Sequence, residues 1–86
     1  MHIDNVVNVI EKPDQLIIEF ENGYQASIIG DPINDEAFEV AVLFQGNIDY
    51  TTPVTNDVLC NLTDDEVGDV CKQISELPAK LYQFDA

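Results

Sequence analysis

Three features of the sequence predict an α+β fold, an antiparallel sheet of about four to five strands with one C-terminal helix packed on one face. Apolar residues alternate with other residues through Leu16, Ile18 and Phe20, and again through Phe38, Val40, Val42 and Phe44. That is the period of a sheet with one buried face. Asn22-Gly23 stands between two such runs, a strong short-range hairpin signal. Thr63-Asp64-Asp65-Glu66 then opens a single apolar stripe at helical spacing. The 86 residues are expected to form one domain. The sheet is expected over about 5–52, the helix over about 63–77 and a tail over 78–86.

Residues 5–11 are rich in β-branched side chains and predict a first strand, ended by Lys12-Pro13-Asp14, a turn in which proline fixes φ. The register of the next hairpin follows from its side chains. A two-residue loop at Asn22-Gly23 pairs Glu21 with Tyr24 and Glu19 with Ala26, mixing acids and apolar residues on one face. A three-residue loop, Glu21-Asn22-Gly23, pairs Phe20 with Tyr24, Ile18 with Ala26 and Leu16 with Ile28. All six then share one side. Because a one-residue slip inverts every side chain, the pattern selects the three-residue loop, with Gly23 left-handed in a bulge.

Residues 30–36, GDPINDE, are loop chemistry, and AFEVAVLF is the next strand. Gln45-Gly46-Asn47 turns the chain into a short strand holding Ile48 and Tyr50. TTPVTNDVLCNL is then expected to wind across the surface, with one helical turn after Thr55. In the capping box the Thr63 hydroxyl reaches the Glu66 amide and the Glu66 carboxylate reaches back, while Leu62 and Val67 have the spacing of a hydrophobic staple. Val67, Val70, Cys71, Ile74 and Leu77 form the apolar stripe, and Pro78 stops the helix. Leu81, Tyr82 and Phe84 are expected to pack, as an extra strand or over the core edge, since exposure would leave an apolar patch.

Charge is the unusual feature. There are 17 acids against three lysines (Lys12, Lys72 and Lys80) and no arginine, a net charge of -14. Between Lys12 and Lys72 lie 13 acids and no base. Affinity for nucleic acid or anionic lipid comes from Lys and Arg releasing counterions, so this composition argues against both. It also lacks the arginine fork that clamps phosphorylated ligands. Such a chain attracts basic surfaces, although plain solubility is the simpler account of acidity. No apolar run approaches the roughly 20 residues that span a bilayer. The N-terminal MHIDNVVNVIEKPD has no signal-peptide pattern, so a soluble cytosolic protein is expected. Cys60 and Cys71 are too far apart for a CxxC site and are expected to be reduced and packed inside.

Catalytic chemistry finds little support. His2 is the only histidine and stands at a terminus, the cysteines have no histidine to activate them, and Ser27 and Ser75 lack a nucleophile-elbow context. Residues 31–39 gather Asp31, Asn34, Asp35, Glu36 and Glu39, all hard oxygen ligands. However, Glu36 occupies the sixth position, where a calcium loop needs glycine. A solvated acidic loop is the better reading, and neither metal nor cofactor is expected. With the helix on the Phe20 face, Glu19, Glu21 and Glu39 are expected on the opposite, open face of the sheet. Asp65, Asp69 and Glu76 on the outer helix face add a second negative surface.

FENGYQASI, FEVAVLFQGNIDYTTPVTNDVL and LTDDEV together resemble a family of small acidic proteins encoded by tailed bacteriophages and prophages. The resemblance spans about residues 20–77 and brings no catalytic or binding residues with it. It departs at Cys60, where a small residue is expected, and in a short loop at 30–36. What it implies is a phage accessory protein acting in a host bacterial cytoplasm. Small phage proteins of that kind often inhibit restriction enzymes, CRISPR complexes or polymerases by presenting carboxylates where the target expects phosphates. The resulting expectation is a non-enzymatic acidic inhibitor or modulator, a nucleic-acid mimic of anti-CRISPR or anti-restriction type. It would bind a basic host or defence protein through Glu19, Glu21, Glu39, Asp64, Asp65 and Asp69. The alternative is a homo-oligomeric structural or assembly module without inhibitory activity. There the outward Ile17, Ile29, Ala41 and Leu43 would be buried in a homodimer rimmed by the glutamates.

Overall fold

The computed structural model describes residues 3–55 and 57–79. Six strands and one helix follow in order: β1 (Val6–Lys12), β2 (Gln15–Phe20), β3 (Tyr24–Gly30), β4 (Phe38–Phe44), β5 (Asn47–Ile48), β6 (Leu59–Leu62) and α1 (Asp64–Ser75). Strands β1 to β4 form an antiparallel meander, and the far side of β4 is shared, β5 pairing with one end and β6 with the other. This is the α+β architecture predicted, with the sheet carried further than expected.

The central hairpin adopts the register that its apolar residues dictate, with Leu16 opposite Ile28 and Ile18 opposite Ala26. Gly23 sits at φ +90, and its N–H donates to the Phe20 carbonyl at 3.0 Å, closing the three-residue loop. Asn22 then ties this loop to the helix. Its side-chain amide donates to the Ile74 and Leu77 carbonyls at 2.8 and 2.9 Å, while its own oxygen accepts the Tyr24 N–H at 3.0 Å. The Ile74 carbonyl, which also accepts the Leu77 N–H at 3.2 Å, and the Leu77 carbonyl just past the helix are thereby tied to the hairpin.

Helix α1 begins where predicted. The Glu66 N–H donates to the Thr63 hydroxyl at 3.2 Å, and the Thr63 N–H donates to the Glu66 carboxylate at 2.9 Å. Its regular turns end at Ser75 with Glu76 as the cap, two residues short of the expected end. The whole stripe of Val67, Val70, Cys71, Ile74 and Leu77 is buried against Ile18, Phe20, Tyr24, Ala26, Ile28, Val40 and Val42. Because α1 packs chiefly on β3, β4 and β6, edge strand β1 stays open, and Val7 and Val9 are 61% and 48% exposed. The Val9 N–H is taken by the Asn8 side chain at 3.0 Å, so part of that edge is capped locally rather than left to pair with another strand.

Four expectations are corrected. Residues 59–62 do not wind across the surface but form β6, pairing Leu62 with Phe38 and Leu59 with Val40 across a register shift. The left-handed Asn61 (φ 58) bends the strand at that irregularity and hides its period. No helical turn follows Thr55 among the described residues. Its hydroxyl instead donates to the Asp57 carbonyl at 2.8 Å and accepts the Asp57 N–H at 3.0 Å, a local turn. Tyr50 lies beyond the short β5, and Cys60 is exposed, whereas Cys71 is fully buried. Leu81, Tyr82 and Phe84 lie outside the described residues.

Candidate functional site

The face of the sheet away from α1 is ordered into three rows by the strand register. Asn8, Glu19, Gln25 and Leu43 form one row, Ile10, Ile17, Ser27 and Ala41 the next, and Lys12, Gln15, Ile29 and Glu39 the third. Ile10, Ile17, Ile29 and Ala41 are half-buried, with no helix packed over them among the described residues, while Leu43 is buried. The glutamates on this face are held by neutral donors. Asn8 and Gln25 both donate side-chain amides to Glu19, and the Cys60 thiol donates to Glu39 at 3.3 Å. Amide and thiol groups therefore do the work expected of cross-strand lysines and arginines, without cancelling the charge.

Glu19 and Glu39 are two strands and four residues apart, about 17 Å by strand geometry. That exceeds the screening length of about 10 Å in 0.1 M salt, so the two behave as separate charges. Glu21 is not on the sheet face at all. It sits in the hairpin turn, where its N–H donates to the Asn5 carbonyl at 2.9 Å. The predicted sheet triad is therefore not one surface.

Exposed carboxylates stand instead on the β3–β4 loop and at the start of α1, the loop being tied to Asn61 of β6, the strand that leads into the helix. Asp31 organises that loop: it accepts the N–H groups of Ile33 at 2.9 Å and Asn34 at 3.2 Å with one oxygen, and of Asn61 at 3.0 Å with the other. The bond from Ile33 contributes most to holding its carboxyl below the usual range, with those from Asn34 and Asn61 adding to it. Asn34 also donates to the Asn61 side chain at 3.2 Å, so loop and β6 are joined twice. Asp35 and Glu36 are exposed on this loop, and Asp64 and Asp65 on the first helical turn three and four residues beyond Asn61. Asp69 stands one turn after Asp65 on the same exposed helix surface. Asp35 and Glu36 were legible only as a loop. The loop's attachment to Asn61 links it to the strand that leads into the helix, and no local sequence signal carries that long-range contact.

No family model, curated protein or solved structure was found to match the chain.

The chemistry must therefore be judged on geometry. Among the described residues, no three histidine, cysteine or acidic side chains converge as a metal-ligand set. Asp31, the best oxygen donor in the loop, is already committed to three backbone N–H groups. Burial pushes the Cys71 thiol up to about 11, and the hydrogen bond to Glu39 is the largest effect raising that of Cys60. Both shifts run against the thiolate that nucleophilic chemistry requires. No helix among the described residues is long and apolar enough to cross a membrane. What the arrangement offers is exposed negative charge on the β3–β4 loop and the first turns of α1.

Proposed function

We propose that the protein is a non-enzymatic acidic inhibitor or modulator that binds a basic partner protein, in keeping with the phage accessory role that its sequence motifs suggest. The observation that carries this reading is the pole of exposed Asp35, Glu36, Asp64, Asp65 and Asp69, anchored through Asn61 in a chain of net charge -14. Lysines and arginines that normally hold phosphates would meet carboxylates there, with fast, salt-sensitive association. Glu19, Glu21 and Glu39 contribute to the long-range field and not to the contact. The partner is a nucleic-acid-handling protein of the host or its defences, and the site of action is the bacterial cytoplasm.

The test is capture from host lysate with the immobilised protein, eluted by a salt gradient, alongside a variant with Asp35, Glu36, Asp64 and Asp65 all replaced by lysine. A basic protein leaving at moderate salt and absent from the variant supports the reading. A partner retained by the variant, or eluting independently of salt, sinks it. A second reading, a homo-oligomeric assembly module without inhibitory activity, draws support from the half-exposed isoleucines of the outer sheet face. Recovery of the bait alone would favour it.

A further inference from the structure

The outer sheet face is unlike the rest of the surface. Its three rows hold two acids and one base, Glu19, Glu39 and Lys12, in a chain with 17 acids and three lysines. Two copies of so acidic a protein repel each other, and this is the face on which they repel least. Its large and small residues are also segregated. Ile10 and Ile17 fill the middle row on β1 and β2, while Ser27 and Ala41 occupy it on β3 and β4. Beside these small residues lies a hollow of about 220 Å³ lined by Gln15, Ser27, Ile29, Glu39, Ala41, Ile48 and Val58. Small-molecule sites usually measure roughly 300–1,000 Å³, so this one suits inserted side chains better than a ligand. Its polar groups are partly spent: Gln15 donates to Ser27 at 2.8 Å, and one Glu39 oxygen takes the weak thiol donor Cys60. The other Glu39 oxygen has no donor among the described residues.

We infer that this face is a self-complementary interface whose occupant is a second copy of the chain. A two-fold axis parallel to the strands, lying between two facing sheets, sets β1 of one copy over β4 of the other and β2 over β3. The consequences follow from the register. Lys12 then stands over the partner copy's Glu39, Ile10 over Ala41, Ile17 over Ser27, and Glu19 over Gln25. Large residues meet small ones, the cation meets the open carboxylate, and no carboxylate meets another. The hollow receives Ile10 and Lys12, whose methylene stem and ammonium match its apolar walls and its glutamate. Aligned packing of two twisted sheets is a common arrangement, and an isologous two-fold contact is the commonest form of self-assembly. The covered patch is about 20 Å square by strand spacing, on the order of 800 Å² over both copies. That places the dimer among weak, concentration-dependent contacts and not obligate ones. Because the axis preserves strand direction, both acidic poles lie at the same end of the dimer.

Sedimentation equilibrium over a series from low micromolar to near-millimolar protein tests the geometry, with circular dichroism confirming the fold of each variant. Lys12→Glu and Glu39→Lys should each weaken dimerisation at least about tenfold, and the double variant should restore it to within about threefold of the parent. Ala41→Leu, which fills the hollow from within, should abolish the dimer in a folded protein and serves as the decisive variant if a charge change unfolds the chain. Raising salt should strengthen the parent dimer by screening the repulsion between copies. A parent that stays monomeric throughout, a double variant that fails to recover, or a dimer indifferent to Ala41→Leu would each overturn the interface. None of these outcomes bears on capture of a basic partner by the acidic pole, which is read separately.

Discussion

Gly23 shows how much one residue can decide. Its positive φ is the condition for the three-residue loop, and the loop length decides which side chains face the helix. A β-carbon added there would lie 3.2 Å from the Phe44 ring, in a backbone conformation that β-branched residues resist. Gly23→Val should therefore cost about 1–3 kcal/mol. For a domain of this size that lowers the melting temperature by roughly 5–20 °C, read by thermal circular dichroism. An unchanged melting point would refute the bulge. The two cysteines illustrate the opposite case, in which sequence pattern misleads. Cys71 falls on the helical stripe and is buried as expected, but Cys60 sits in a strand whose alternation is broken by Asn61, and it is exposed. Its thiol donates to Glu39, which stabilises the protonated form and raises its pKa. At a given pH near 8, less thiolate is then present than in a free cysteine, so alkylation of Cys60 by iodoacetamide should be slow for an exposed thiol. Glu39→Gln removes the charge, lowers that pKa and should accelerate the reaction severalfold, while Cys71 stays protected until the protein unfolds. Equal rates in parent and variant would show that the carboxylate does not control the thiol.

Elements were legible where a local signal specified them. The β2–β3 hairpin, β4 and α1 each carry their own instructions in alternation, turn glycine or capping box, and each lies close to its expected span. Strand β6 does not, because its two leucines cover β4 across an irregular register and depend on that partner for their conformation. The link between hairpin and helix was equally invisible: Asn22 reads in the sequence as a turn residue, yet it also serves as the donor for two helix-end carbonyls more than fifty residues away. Those partners are part-buried, so losing the amide leaves acceptors that water replaces only in part. Asn22→Ala should destabilise the fold by about 1–3 kcal/mol. Amide exchange should show α1 fraying first at its C-terminal turn, with the capped N-terminal turn unaffected. Uniform loss of protection along the helix would instead mean that Asn22 acts on the hairpin alone. The same reasoning explains why the acidic pole was half seen: Asp64, Asp65 and Asp69 were named from the helix, whereas Asp35 and Glu36 join them only through the contacts of Asp31 and Asn34 with Asn61.

At the scale of the whole molecule, composition predicted strong acidity but not its distribution. The structure places neutral donors against Glu19, Glu39 and Asp31, so these carboxylates are fixed in place without being neutralised. A net charge of -14 then acts on the folded state as a self-repulsion that three lysines are too few to offset. Unfolding spreads the same charges apart, and screening should consequently favour the folded form. Raising sodium chloride from about 0.02 to 0.5 M shortens the Debye length from roughly 20 Å to about 4 Å. The melting temperature of dilute protein should climb by several degrees over that range. Repeating the titration with Lys12→Glu isolates the sign of the effect, because a net charge two units more negative than that of the parent should steepen the dependence while leaving the backbone untouched. A melting point that falls with salt would mean that attractive pairs dominate the fold, and the acidic pole could then no longer be treated as charge held in reserve for a partner.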